Sequence, residues 1–342
     1  MPTDDEIMFS SVFDVVKAYE SGFIGAYADP EADAALRDFI QSSGGIPDGA
    51  MACSAYGLEE SGAGRLTLAF LEILSLYPEC LPGGAQGRGD CVSWSARNAG
   101  LGTMCCEITS GVPDDVSGKL EGAPEVSEAA RRYGVLSTEA IYNWRRHGGD
   151  GWTCSAAARV VLKESGLWLR KKYDDINVDF TTYSARQAGL YGRTTPPESW
   201  LNIGREHLVR TATEAHSFEE VRDLLANGYC ISSCGSEGFS NQRDSNGVSP
   251  KRGSWAHAMA YLAADDRDEI KKLYGEPLIL VQNSWGEWND GPRRIYGTNI
   301  DIPIGSFWAK WSDLRNRSAI AFSGVNGWPP KQLKSYGALG NI

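Results

Sequence analysis

The sequence predicts an α+β protein of two lobes, helical in its first half and β-rich in its second. Three stretches carry this. CVSWSARNAGLGTMCCEI, from Cys91, is thick with Ala, Ser and Gly, and reads as a central, buried helix with Asp90 as its N-cap. SFEEVRDLLANG sets Glu220 three residues after Ser217, a capping box, and stops at Gly228. Beyond it YCISSCG, WAHAMAYLAAD, EPLILVQNSWG and AIAFSG alternate or run apolar between glycine-rich turns, the pattern of strands. Helices first and strands second fit an α+β architecture.

The elements follow in order. Residues 1–75 read as a helical N-terminal extension. EIMFSSVFDVVKAYESGF places Ile7, Val12, Val15 and Val16 at mixed three- and four-residue spacings, and PEADAALRDFIQSSGG opens after Asp29 and closes on a glycine pair. RLTLAFLEILSLYPE, residues 65–79, reads as a further apolar helix stopped by Pro78. The two-lobed domain spans 76–325, with 76–205 the helical lobe and 206–325 the β-rich lobe. In the first lobe VSEAARRYG with LSTEAIYNWRRH, then CSAAARVVLKESG, read as helices. Residues 170–205 are polar, carry Thr194–Thr195–Pro196–Pro197, and read as a long surface connection. The segment 326–342 reads as an extended C-terminal tail.

Composition narrows the function classes. A hydrophobic share of 42%, 11 Trp and 39 Gly describe a folded, loop-rich chain. A formal charge of −11, with only short and scattered basic clusters, argues against nucleic acid or an anionic membrane as the main partner. The start MPTDDEIMFSS lacks the basic and apolar regions of a signal peptide, and no run approaches a membrane span. A cytoplasmic protein is the expectation, with virion association the other reading. Eight cysteines are too sparse for a disulfide scaffold, and four His without paired spacing predict neither a metal site nor a cofactor.

A reactive cysteine needs help to become a thiolate, and a helix N-terminus and a histidine supply it. The histidine needs a third group to fix its tautomer, and a side-chain donor aimed at the developing oxyanion completes the chemistry. Cys91 in QGRGDCVSW begins the predicted central helix, and Gln86 precedes it on a loop. His257 lies in SWAHAMAYLAADD, and Asn283 ends the apolar LILVQNSWG with Trp285 following. Each is weak alone; the order Gln, Cys, His, Asn with NSWG intact is specific.

With these motifs, residues 86–325 resemble the papain-like (C1) cysteine peptidases. GDGWTCSAAARVVLKESGLWLRKKY, with Gly151, SFEEVRDLLANGYCISSCGSEGF and IPIGSFWAKWSDL resemble further segments of that family. The resemblance implies a two-lobed papain-like fold and a thiol-dependent endopeptidase acting on proteins or peptides. In it Cys91 is the nucleophile, His257 the base and then acid, Asn283 the orienter and Gln86 the oxyanion donor. Trp285 covers the His–Asn bond and Gly151 supports the site. The chain departs from the family at several points. Gln86 precedes Cys91 by five residues where six is usual, so the amide is either still aimed at the oxyanion or drawn out of range. Asp90 opposes thiolate formation unless it turns to cap backbone N–H groups. Val92 stands where an aromatic is usual. Arg88 replaces a cysteine, which removes a familiar disulfide and agrees with a reducing compartment. Trp288–Asn289–Asp290 alters the usual second Trp-Gly. Residues 1–75 are too short and too unlike the usual inhibitory propeptide to be read as one; an assembly partner is their expected use. The alternative reading is a non-catalytic papain-fold structural or binding component, for example of a phage particle. A different acyl-transfer enzyme is the third.

Overall fold

The computed structural model describes residues 9, 11–78, 84–111, 132–205, 209–324 and 327–336. Helices and an antiparallel sheet pack around one helix, the segment α5 (Cys91–Thr109). Every residue of α5 from Cys91 to Glu107 is buried, so it carries no polar stripe and no amphipathic signal. It leans on the sheet on one side and on helices on the other.

The N-terminal region forms three capped helices. Ser11 accepts from Asp14 N to open α1 (Val12–Glu20). Asp29 accepts from Glu31 N and Ala32 N, with Pro30 leading, to open α2 (Pro30–Ser42). Asp48 caps α3 (Gly49–Tyr56), which ends on left-handed Gly57. The next run departs from the helix expected over 65–79. Leu66–Leu68 is instead a strand, β1, followed by a short helix α4 (Phe70–Leu76). A continuous apolar run has the composition of a buried strand as well as of a buried helix, and periodicity does not separate them. Leu36, Ile40, Leu66 and Phe70 are fully buried, so α2, β1 and α4 belong to the core.

Between α5 and the sheet lie β2 (Leu136–Ser137), α6 (Glu139–Tyr142), α7 (Cys154–Val160), β3 (Trp168–Leu169), β4 (Lys172–Tyr173), β5 (Val178–Asp179), α8 (Ala185–Ala188) and α9 (Ser199–Gly204). The helix expected in VSEAARRYG falls largely outside the described residues, and LSTEAIYNWRRH yields only the single turn of α6. Residues 170–205 run mostly over the surface, as expected, but they are anchored from within. Phe180 and Trp200 are buried against Trp168 and Tyr173, an aromatic cluster that the polar composition hid.

The second half holds β6 (Ala212–Glu214), α10 (Phe218–Ala226), β7 (Ile231–Phe239), β8 (Lys251–Asp265), α11 (Asp268–Tyr274), β9 (Leu278–Gln282), β10 (Ser306–Lys310), α12 (Trp311–Leu314) and β11 (Ile320–Phe322). Its sheet runs β10-β9-β8-β7-β11-β6, antiparallel throughout, and β1 pairs with the far end of β8. The helix expected at 218 starts where Ser217 accepts from Glu220 N; Glu220 in turn accepts from His216 N. The C-terminal segment is extended but packed. Trp328 and Leu333 are buried, and Lys331 lies over the Tyr229 ring.

The sequence pointed to no disulfide, yet Cys154 and Cys234 form one, 80 residues apart. It joins the start of α7 to the middle of β7, a pairing that spacing along the chain does not signal. No described helix is long and apolar enough to cross a membrane.

Candidate active site

Three elements converge at the N-terminus of α5. Cys91 is its first residue, His257 lies in β8, and Asn283 follows β9 directly. All three are fully buried. His257 Nε2 lies 2.8 Å from Asn283 Oδ1, and the same oxygen accepts from Ser284 N at 2.7 Å. A backbone N–H can only donate, so this fixes which amide atom is the oxygen. The histidine proton is therefore on Nε2, which leaves a lone pair on Nδ1, the atom free to act as a base. Trp285 stacks on the ring at 4.6 Å and 29° and keeps water from the His–Asn bond.

Gln86 is held as firmly. Its backbone N–H donates to Ser284 O, Ser284 Oγ donates to Oε1 at 2.6 Å, and Nε2 donates to Arg88 O at 2.7 Å. The amide is thus oriented from both ends. The loop 86–91 is braced from outside by Arg88, whose guanidinium pairs with buried Asp150 at 2.6 Å and donates to Ala185 O. Arg88 occupies this loop in place of the cysteine that is usual in the resembled family, so an ion pair fixes the loop here.

Asp90 does not cap α5, contrary to expectation. Its side chain makes no cap hydrogen bond and accepts instead from Tyr183 Oη at 3.0 Å. Complete burial pushes its carboxyl up to about 8, with Arg88 acting against the rise. A largely protonated Asp90 puts little charge beside the thiol at neutral pH. The direction also fixes a stability profile. The folded carboxyl holds its proton more tightly than an unfolded one, so its contribution is complete below about pH 4 and is lost as pH climbs through about 8. Asp90→Asn cannot ionise. It should raise Tm relative to the parent at pH 8 by at least about 3 °C and not at pH 4; a Tm difference independent of pH would contradict this assignment.

The feature the sequence reading missed is Tyr19. At the end of α1 it is fully buried between the catalytic candidates, with its ring 4.7 Å from His257 and 5.1 Å from Trp285. Its hydroxyl accepts from Gln86 Nε2 at 3.3 Å and sits beside the Cys91 sulfur, close enough that a single Cβ on Gly25 would strike both. Past a turn at Ser21–Gly22 the chain enters the groove as a strap. Gly25 N and Ala26 N donate to Ala256 O, Tyr27 N donates to Trp152 O, and Trp152 N donates to Gly25 O, all at 2.8–3.1 Å. Residues 25 and 151 must be small here. A Cβ on Gly25 would run into Tyr19 and Cys91, and one on Gly151, at φ +86°, would lie 2.7 Å from Ile24 O. GFIGAY, with its small Gly25–Ala26 between bulky neighbours, was the available sign of a chain threaded through a tight slot.

The strap sets the electrostatics. Burial pushes the Cys91 thiol up to about 12, only partly offset by the hydrogen bond from Tyr19. Burial pulls the His257 imidazole down to about 3; the Asn283 bond opposes this and Arg317 adds to it. Arg317, fully buried, donates to His257 O at 2.6 Å and pairs with Glu237. Thiol and imidazole are both neutral in this arrangement, and Nδ1 has no hydrogen-bond partner among the described residues.

The solved structures that this chain resembles are papain-like cysteine proteases. Xylellain, a cysteine protease from Xylella fastidiosa, is 16% identical with a TM-score of 0.43, over 71% of this chain and 82% of its own. Procathepsin B S9 from Trypanosoma congolense is 13% identical with a TM-score of 0.38, over 76% of each chain. The ragweed pollen allergen Amb a 11, in its proform, is 13% identical with a TM-score of 0.40 over 70% of this chain, which spans 61% of that one. No family model and no curated protein matches the sequence. At such distances the chemistry must come from the site's own geometry.

Proposed function

We propose that this protein is a thiol-dependent peptidase in a closed, latent form. Cys91 is the nucleophile, His257 the base and acid, Asn283 the orienter and Gln86 the oxyanion donor. The observation that carries the reading is that Gln86 Nε2 donates to the Tyr19 hydroxyl, which sits beside the Cys91 sulfur and next to a histidine whose free nitrogen is Nδ1. A carbonyl oxygen placed where that hydroxyl sits would be within reach of both.

With Tyr19 withdrawn, water re-enters and the burial that holds both groups neutral is relieved, so the thiol proton can pass to Nδ1. The thiolate adds to the carbonyl carbon of an extended peptide, held by the backbone edges of Trp152 and Ala256 that now hold the strap. Negative charge collects on the carbonyl oxygen and meets Gln86 Nε2 together with the Cys91 N–H that opens α5, since the N–H groups of Ser93 and Trp94 are taken by Asp90 O. Collapse breaks the C–N bond, and the leaving amine takes the proton from His257. A water, deprotonated by the same nitrogen, then cleaves the thioester and regenerates the thiol.

Gln86→Ala in a Tyr19→Ala background tests the reading. Removing one preorganised donor should lower kcat on a fluorogenic peptide roughly 10²-fold with little change in KM. A fall below about twofold removes Gln86 from the mechanism. A Tyr19→Ala protein without turnover overturns the peptidase reading and favours a structural component of this fold.

A further inference from the structure

Beside the strap lies a cavity of about 390 Å³ whose wall comes from both halves of the molecule. Thr153 and Cys154 line it from α7 and its cap, Cys234 and Gly235 from β7, and Ala256 from β8; the Cys154–Cys234 disulfide joins the two sides. These groups are small or apolar. Among the described lining residues only Asp33 is charged, and it comes from α2 of the N-terminal region. Its carboxylate is half-buried and accepts a hydrogen bond from Ser155 Oγ, which pins it at the rim. Arg37, one turn further along α2, is engaged first by both oxygens of Glu214, and the charge of Asp33 acts on it only as a lesser partner.

The cavity lies where an extended chain in the groove would send a side chain. Ala26 is the strap residue bracketed by the two hydrogen bonds to Trp152. Successive side chains of an extended chain point to opposite faces. Gly25 faces Tyr19 and Cys91, so Ala26 faces away from them, and it lines the cavity with 4% of its surface exposed. Ala26 fills little of that space.

We infer that Asp33 is a specificity-determining residue, and that this cavity takes a Lys or Arg side chain from a peptide substrate at the position now held by Ala26. The long aliphatic stem of such a side chain would lie along the apolar disulfide wall, and its cation would reach the carboxylate at the rim. The N-terminal region then has two parts with opposite uses. The strap through Tyr27 closes the groove, whereas α2 stays in the core and supplies a wall of the open site.

The inference rests on the proposed peptidase function, so its test reads binding without turnover. Full-length Tyr19→Ala/Cys91→Ala protein is titrated with fluorescein-labelled peptides that differ at one position, Arg against Leu against Glu. The Arg peptide should bind about tenfold or more tightly than the Leu peptide, with Glu weakest, and the preference should shrink with added salt. Asp33→Asn, which keeps an acceptor for Ser155, should reduce the Arg-to-Leu ratio to below about threefold, while Asp33→Glu should keep most of it. Equal affinities in the parent, a ratio that survives Asp33→Asn, or no binding of any peptide would each overturn the inference. Selective binding by a protein whose Tyr19→Ala form shows no turnover would sustain the cavity assignment and sink only the peptidase reading.

Discussion

Tyr19→Ala should raise the rate at which iodoacetamide labels Cys91 at pH 7 by about 10³-fold. With the thiol pushed up to about 12, roughly one molecule in 10⁵ carries a thiolate at that pH; at an ordinary value near 8.5 it is roughly 3%. The tyrosine accounts for much of the difference because it is the side chain that fills the space over the sulfur. Replacing it with alanine opens a volume that water can enter, and the polar ends of Gln86, His257 and Cys91 give that water partners. Tyr19→Phe keeps the ring and loses only the hydroxyl that partly offsets the rise of the thiol, so it should bring no increase in labelling. Cys53, Cys105, Cys106 and Cys230 are outside the disulfide and buried elsewhere, and they serve as internal references in the same mass spectrum. Equal labelling of Cys91 in parent and Tyr19→Ala protein, with those four still protected, would show that the strap does not control the thiol.

The strap is held well enough to dominate in the resting chain. A fully buried large side chain contributes roughly 1.5–3 kcal/mol, and favourable aromatic pairs add about 0.5–1.5 kcal/mol each. Tyr19 contacts His257, Trp285 and Phe23, and Phe23 in turn meets Phe9, whose N–H donates to Gly87 O beside the oxyanion loop. These contacts form a continuous aromatic run from α1 across the site. Against them stands the cost of ordering the strap, about 1–2 kcal/mol per residue for the backbone. The balance is close enough that a single substitution at Tyr19 can shift it.

What could be read from the sequence was what is local. NSWG places an asparagine and a tryptophan at a strand end, so Asn283 and Trp285 carry their own context, and the small-residue run after Cys91 announces a helix buried on all sides. The helix at Ser217 was marked by its capping box. What could not be read depends on contacts between distant segments. Tyr19 looks like any aromatic on a short amphipathic helix until the chain turns back through the groove. Cys154 and Cys234 carry no spacing signal for each other, and Asp33 gains meaning only from the cavity that α7 and β7 build opposite it. Asp90 was expected to cap backbone N–H groups, the usual work of an aspartate before a helix. Burial instead favours its neutral form, with the charge of Glu139 adding to the effect and Arg88 and the Tyr183 hydrogen bond opposing it, an effect no local pattern encodes.

In the Tyr19→Ala background, Cys91→Ala should abolish peptide hydrolysis while leaving the fold intact. Alanine is the best helix former and replaces a residue whose side chain is already small, so α5 has no reason to start elsewhere. No neighbouring group can take over the attack: the hydroxyl of Ser93 donates to Asp90 O, and that of Ser95 is engaged by Ser232 and Met259 O. His257→Ala should follow with a loss of about 10²–10⁴-fold, because the imidazole moves a proton in both half-reactions. Asn283→Ala should cost less than His257→Ala. It removes the acceptor that holds the proton on Nε2, but the ring remains clamped between Trp285 and its neighbours and still adopts the required tautomer part of the time. The three losses should therefore rank Cys91, His257, Asn283 when kcat/KM is measured on one fluorogenic peptide. An Asn283 variant that lost more than the His257 variant would reverse their roles, and residual Cys91→Ala activity at the parent rate would place the nucleophile elsewhere.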